Sequence, residues 1–494
     1  MKTQGMAHQL QALQLMQGRG AYALFMEQGT GKTWTLLADA ERLYAQGKID
    51  AVLVVAPNGV HTNWVRREIP AHLSGDIIAR HWRSSPSKAH ERAIEELFAP
   101  REHGATIPLR ILSINIDALI TTRGYALCER FLLATRAMMI VDESSRIKNP
   151  DAARTKAVLR LRTRAVVARI ASGTPVANAP TDVYAQMEFL ERGLLGTTSY
   201  RAFVAEYAEI LPATHPMMQG MARRNPRAAF AQVIARNPDG SPLWRNLDKL
   251  HALLTPHSFR VLKRDCLDLP RKIYKTITFE LPAAQRRAYD KMQNELRIEL
   301  SDRTELPVSE LAALIKLQQI TSGYVNTPLG VQYISDANPR LAAFMNALED
   351  VQGKLIVWAR FREELAAISA ALSEAGITSV EYHGGIGREA REAAVDEFQN
   401  GSARVFIGQP QSGGIGLTLT AAETVVYFSN DFNLETRLQS EDRAHRIGTR
   451  RNVVYIDIAA EDTIDEQITR NLQRKRRDAA LVLGDASREV PSDN

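Results

Sequence analysis

The sequence predicts an α/β protein built on two parallel sheets. Three observations carry that expectation. Short apolar runs alternate with longer helical patterns, they do so in two separate blocks, and a stretch of different character divides the blocks. Short apolar runs with helices between them are the pattern of buried parallel strands in βαβ units. Two such blocks indicate two α/β domains.

In the first block the expected strands are Ala21–Met26, Ala51–Val55, Arg110–Ile114, Ala137–Val141 and Val166–Ala171. In the second they are Lys354–Ala359, Ser379–Tyr382, Arg404–Ile407, Thr424–Phe428 and Val453–Ile456. The stretch between is helix-like at Pro282–Ser301 and Ser309–Thr321, and loop-like around Arg223–Leu243, where Pro, Asn and Gly punctuate the chain. The expected division is 1–199 for an N-terminal lobe, 200–335 for a mostly helical insertion and inter-lobe region, and 336–494 for a C-terminal lobe with a short tail.

Length and composition bound the function classes. The chain has 494 residues, 45% hydrophobic and 24% charged, which is ordinary globular usage. At ~150 residues per domain, about three units are expected. Lys and Arg number 62 against 56 Asp and Glu, a net charge of +6 that suits a polyanionic partner and identifies none. Two well-separated cysteines, Cys128 and Cys266, exclude a disulfide scaffold and a Cys-rich zinc site. The start, MKTQGMAHQLQAL, has no apolar core of signal-peptide length. No apolar run approaches the ~18–20 residues of a spanning helix. A cytoplasmic protein without membrane attachment is expected, and the Ala- and Arg-rich usage points to a bacterial or phage genome.

The first strand runs into Glu27-Gln28-Gly29-Thr30-Gly31-Lys32-Thr33, followed by a helical pattern. Glycines let the backbone turn tightly and aim N–H groups at phosphate oxygens, and the helix adds its positive end. Lys32 would reach the β- and γ-phosphates, and the Thr33 hydroxyl would ligate Mg²⁺. The strict phosphate-loop pattern asks for Gly where Met26 stands, so only the shorter Gly-x-Gly-Lys-Thr is present. Downstream, Met138–Glu143 reads as a buried strand ending in two carboxylates. Carboxylates at a strand's C-terminal end face the ligand crevice of an α/β sheet. Asp142 suits the Mg²⁺ shell and Glu143 the polarisation of attacking water.

In the second block, Arg443 and Arg446 stand three apart, on one face of an expected helix. Arginines so placed stabilise charge on a transferring phosphoryl group. Spacing alone fits equally a surface-charged helix with Glu441 and Asp442 as ion-pair partners. Ser412–Thr418 is a glycine-rich loop after a strand, with backbone donors for phosphates, and Ser172–Pro175 reads as a turn. Trp64 and Trp82 favour packing over base stacking, given the area aromatics bury. His445 is either a phosphate-orienting or a structural histidine. Both cysteines read as inert thiols. Arg223, Arg224, Arg227 and Arg236 make their loop basic, either a DNA contact or a solvated insertion.

Together these segments resemble the helicase-fold ATPases of superfamily two, specifically the Swi/Snf-like group of double-stranded DNA translocases. The likeness runs almost end to end: His8-Gln9; Gly29–Thr33; Ala56-Pro57 with Asn63-Trp64 and Glu68; Asp142–Asn149; Ser172–Pro175 with Asn178; Phe259–Arg264 with Leu269-Pro270; Gly413–Thr420; Asn430–Asn433; and Gln439, Arg443 and Arg446 with Ile447-Gly448. The resemblance implies two RecA-like lobes with parallel sheets, of the P-loop NTPase class, carrying helical insertions and binding ATP in the cleft between the lobes. It assigns adenine to Gln9, and phosphates with Mg²⁺ to Gly29, Thr30, Gly31, Lys32, Thr33 and Asp142. Glu143 would act on water, while Gly416 and Gln439 would contact nucleotide and Arg443 and Arg446 would complete the site. Pro57, Asn63, Ser113, Gly413, Gly414 and Thr418 would contact nucleic acid. The implied partner is double-stranded DNA, engaged by a monomer, with a targeting protein as a further partner for what reads as a minimal motor.

One departure stands out. The family usually has Ala or Gly followed by His after the Asp-Glu pair, and here Ser144-Ser145 follows. That departure keeps a nucleotide-switched DNA-binding subunit as an alternative. A strand-separating or RNA helicase of another branch is the second, opposed by Ile447-Gly448 and the long middle insertion.

Overall fold

A strand such as AVLVVA, Ala51–Ala56, with all six residues buried, needs cover on both faces and so belongs inside a parallel sheet. In the computed structural model it is such a strand. The structure describes residues 1–99, 107–224, 232–238, 240–302, 308–335, 337–411 and 417–485. The first sheet contains β1 (Ala21–Met26), β2 (Ala51–Ala56), β3 (Ile77–His81), β4 (Leu109–Asn115), β5 (Ala137–Asp142), β6 (Val167–Ala171) and β7 (Ser258–Val261), in the order β3-β4-β2-β5-β6-β1-β7. All its pairings are parallel.

Next come β8 (Lys272–Phe279), the antiparallel hairpin β9 (Tyr324–Thr327) and β10 (Gly330–Tyr333), then β11 (Lys354–Trp358), β12 (Ser379–Tyr382), β13 (Val405–Gly408), β14 (Ala422–Tyr427) and β15 (Val453–Ala460). The second sheet has the order β12-β13-β11-β14-β15-β8, again all parallel. Its interior strand β11 buries both faces: Leu355 and Val357 enter one core, Ile356 and Trp358 the other.

The ten strands expected from apolar runs are all present, with ends shifted by two residues or fewer except at β15, which runs on to Ala460. The strands that the runs do not reveal are β3, β7, β8 and the hairpin. Strands β3 and β7 are the edges of the first sheet and β8 is an edge of the second. An edge strand is partly open, so its sequence mixes polar residues among apolar ones, as in KIYKTITF of β8. The helical stretches in the middle region are helices, at Ala283–Asp302 and Val308–Thr321.

The chain forms two compact units: residues 1–209, 236–268 and 477–494 in the first, and 210–235 and 269–476 in the second. Among the described residues no helix is long and apolar enough to cross a membrane.

Candidate active site

In a parallel sheet every strand ends on the same edge, so the loops that follow are neighbours whenever their strands are. Strand β6 lies between β1 and β5, with Ala171 in register with Leu24 on one side and Asp142 on the other. The loop after β1, the Asp142-Glu143 pair and the Ser172–Pro175 turn therefore share one edge. Pro57 joins them from β2, which pairs with β5.

The loop after β1 needs its glycines. Gly29 and Gly31 have φ of 86° and 83°, the left-handed region that side chains avoid. Consecutive amides in such a turn form an anion-binding concavity, and the 14-residue helix Lys32–Ala45 begins at its end. Lys32 is buried, and its Nζ donates to the carbonyls of Met26 and Glu27 at 3.0 and 3.3 Å. Thr30 is buried and its hydroxyl donates to the Glu27 carbonyl. Thr33, next on the helix, is half-buried. Gln9 lies against this loop: its Nε2 donates to the Thr30 carbonyl at 3.2 Å and its Oε1 accepts from the Met6 amide. A Cβ on Gly31 would lie 1.9 Å from Gln9 Nε2, so the glutamine packs where only glycine leaves room.

Asp142 and Glu143 are both buried. Asp142 Oδ1 accepts the Glu143 amide at 3.0 Å and Oδ2 accepts the Trp64 indole N–H at 2.9 Å. Burial pushes the Asp142 carboxyl above the usual range, while Trp64, the Lys32 ammonium and the Glu143 amide pull it back. Glu143 has φ 51°, left-handed for a residue with a side chain, which is strain of the kind found at functional positions.

Three side chains at this edge were not singled out as site residues. Trp64 does pack, as expected, yet its N–H also holds Asp142. Lys263 is buried, and its Cε lies 3.9 Å from where a Cβ on Gly29 would stand. The Lys263 amide donates to Glu27 Oε2 at 2.6 Å. Arg260 donates to the carbonyls of Phe25 and Gly173 at 3.2 and 3.4 Å. The basic run Phe259–Arg264 was the available signal. Only the unforeseen pairing of β7 with β1 brings it to the phosphate loop.

The nucleic-acid candidates of this unit are placed differently from one another. Asn63 is half-buried at the end of the short helix Val60–Asn63, and Pro57 is buried, its carbonyl accepting the Val60 amide. Ser113 is wholly buried within β4, so that strand presents it to the core and not to a partner. Trp82 is buried beneath the guanidinium of Arg123. Burial raises both thiols, Cys128 most.

In the second unit, the helix Leu434–Ala444 carries Gln439 and Arg443. Gln439 Nε2 donates to Glu435 Oε1 at 3.3 Å, and Arg443 is buried, its carbonyl accepting the Leu419 amide. The expectation that Arg443 and Arg446 share one helical face is corrected. The helix ends at Ala444, where the Thr449 hydroxyl donates to its carbonyl and accepts the Arg446 amide, turning the chain. Arg446 donates to the Leu417 carbonyl at 3.1 Å. Glu441 takes its partners elsewhere, from Lys272, Tyr274 and Arg437, which hold its carboxyl far below the usual range. His445 Nε2 donates to the Pro270 carbonyl. Asn433 caps its helix, and Asn430 bonds Asp457 and Arg437. Thr418 is half-buried; Gly413, Gly414 and Gly416 lie outside the described residues, as does Arg227 of the basic loop.

This constellation has known counterparts. Residues 8–325, more than half of the chain, match the family described as SNF2-related domain. The chain belongs to the SNF2-related family. Residues 339–448 match the helicase conserved C-terminal domain, so the two parallel α/β units of this SNF2-family ATPase are its tandem RecA-like lobes. A zebrafish (Danio rerio) chromodomain-helicase-DNA-binding protein 1-like is 25% identical over 479 residues, covering 92% of this chain and 41% of that protein. A Mycoplasma pneumoniae protein described as an uncharacterized ATP-dependent helicase is 24% identical over 453 residues, covering 90% of this chain and 38% of that protein. The SNF2 chain thus spans about two fifths of the length of these relatives. Among solved structures, the Sulfolobus solfataricus SWI2/SNF2 ATPase core in complex with dsDNA is similar at 22% identity and a TM-score of 0.39, covering 98% of this chain and 94% of that one.

Proposed function

We propose that this SNF2-family ATPase couples ATP hydrolysis to movement along duplex DNA, remodelling protein–DNA complexes or annealing strands. One observation carries the hydrolytic part of the reading: a left-handed glycine loop, a buried lysine and a buried Asp-Glu pair occupy one sheet edge. The donor set suits a magnesium nucleotide. The glycine turn opens onto a helix N-terminus, and the Thr33 hydroxyl and Asp142 carboxylate are the hard oxygens magnesium takes. Magnesium, when bound, screens charge on phosphate oxygens.

The chain's own residues supply the rest. Gly29–Gly31 amides and Lys32 hold the phosphates, and Gln9 reads the base beside them. Asp142, fixed by Trp64, keeps its oxygens oriented. Glu143 positions water and takes its proton at a carboxylate oxygen. Arg443 and Arg446 are assigned positive charge for the transferring group, and the Gly413–Thr418 segment and Gln439 are assigned nucleotide and DNA contacts. The net charge of +6 and a relative whose name includes DNA binding support duplex DNA as the partner. A monomer acting in the cytoplasm, directed by a targeting protein, completes the reading.

The test is ATP turnover by purified protein, wild type beside Lys32→Ala, alone and with duplex DNA, single-stranded DNA or RNA at fixed salt. Strong stimulation by the duplex, abolished by Lys32→Ala, is expected. Preference for RNA or single strands moves the protein to another helicase branch, and turnover that survives Lys32→Ala overturns the site.

A further inference from the structure

The Ser144-Ser145 departure has a structural counterpart across the first unit. Ser144 and Gln186 are both fully buried, at 0% exposure. The Ser144 hydroxyl donates to Gln186 Oε1 at 2.7 Å. The Gln186 amide then donates to two carbonyls, Pro175 at 2.7 Å and Asp182 at 2.8 Å. Every polar hydrogen of that side chain is used. In an apolar core a polar group persists only when it is satisfied, so a Gln on the helix Val183–Leu190 asks for this partner set.

The link closes a ring of contacts. Ser144 follows Glu143 directly. Pro175 ends the turn whose Gly173 lies against the phosphate loop: a Cβ there would stand 3.1 Å from the Gln28 amide and 3.6 Å from Lys32 Nζ. Beyond Pro175, Asp182 Oδ2 accepts the amides of Ala177, Asn178 and Ala179, and Lys148 Nζ lies 3.9 Å from it. Asn178, on that loop, is exposed. A shift of the Asp-Glu segment cannot leave Gln186 unmoved without stranding a buried acceptor.

We propose that Ser144 and Gln186 are positioning residues that transmit the state of the phosphate site to the 175–182 loop. Neither touches the reacting atoms. The DNA-dependent consequence of the link rests on the translocase reading above; its nucleotide-dependent consequence does not.

The test is hydrogen exchange with and without a non-hydrolysable ATP analogue and magnesium, on wild type, Ser144→Ala, Gln186→Leu and the double variant. In wild type, nucleotide is expected to slow exchange at the Ala177–Ala179 amides. In Ser144→Ala that slowing is expected to fall roughly tenfold, the weight of one unsatisfied buried acceptor. The double variant is expected to lose no more than the single ones, because the pair acts as a unit. Basal turnover should hold while the ratio of duplex-stimulated to basal turnover drops. If Gln186→Leu does not fold, Ser144→Ala, which removes one oxygen, decides alone. Nucleotide-dependent slowing that is absent in wild type, or intact in Ser144→Ala, overturns the link. A wild type indifferent to duplex DNA sinks the translocase reading instead and leaves the exchange result to stand.

Discussion

The indole N–H of Trp64 donates to Asp142 Oδ2 at 2.9 Å, between two side chains that are both buried. The tryptophan arrives through a five-residue π-helical segment, Trp64–Glu68, which re-aims the chain after β2. A carboxylate that must present oxygens to a cation gains from having its second oxygen fixed, since orientation otherwise costs entropy on binding.

Trp64→Phe keeps most of the ring and removes only the donor. It should cost about 1–3 kcal/mol in stability, because Asp142 Oδ2 stays buried without its partner. It should also raise the magnesium concentration that half-saturates ATP turnover by roughly 10–100-fold. A magnesium titration at saturating ATP measures this. An unchanged half-saturation point would mean that Trp64 only packs.

Gly29 and Gly31 look alike in sequence and differ in space. Both are left-handed, which costs an Ala roughly 1–2 kcal/mol. At Gly29 a Cβ meets nothing nearer than Lys263 Cε at 3.9 Å, whereas at Gly31 it strikes Gln9 Nε2 at 1.9 Å. Gly29→Ala should therefore lose only the conformational term. Gly31→Ala should lose more and weaken ATP binding as well. Adding Gln9→Ala should restore the difference in stability, though neither the common loss nor the ATP affinity that Gln9 supplies. Denaturant unfolding and calorimetric ATP titration of wild type and the three variants test it, and equal effects at both glycines would remove Gln9 from the loop's support.

The legibility of these features follows from their chemistry. Interior strands announce themselves because burial on both faces demands unbroken apolar runs, and β1 was readable to the residue; the edge strand β12 was readable too, by the alternation of its Val and Tyr with polar residues. Edge strands β3, β7 and β8 were not, since their half-open faces admit Arg, Lys and Thr. The glycine turn after β1 and the Asp-Glu pair at the end of β5 were legible in place because local residue type and spacing fix them. What joins them was not. Arg260 and Lys263 reach the loop only through β7, and Gln186 meets Ser144 across 42 positions of chain. Arg446 failed as a helix-face residue for a local reason: Thr449 takes over the bonds that another helical turn would have used.

Arg260 joins a residue just after the final helix to the sheet edge that carries the glycine loop. Its Nε and one terminal nitrogen hold Asp485 at 2.6–3.2 Å, and the other donates to Phe25 and Gly173. Asp485→Asn should cost about 1.5–3 kcal/mol, the weight of a hydrogen bond to a charged group. Arg260→Leu with Asp485→Leu should recover part of that stability, because an apolar pair leaves no stranded charge. The same double variant still loses the grip on the two carbonyls flanking the phosphate loop. Its KM for ATP should therefore rise while its unfolding midpoint recovers. Unfolding curves and ATP kinetics on the three proteins separate the two roles. If the double variant regains stability with an unchanged KM, Arg260 serves only to anchor Asp485, and the phosphate loop is held by Gln9, Gly173 and Lys263 without it.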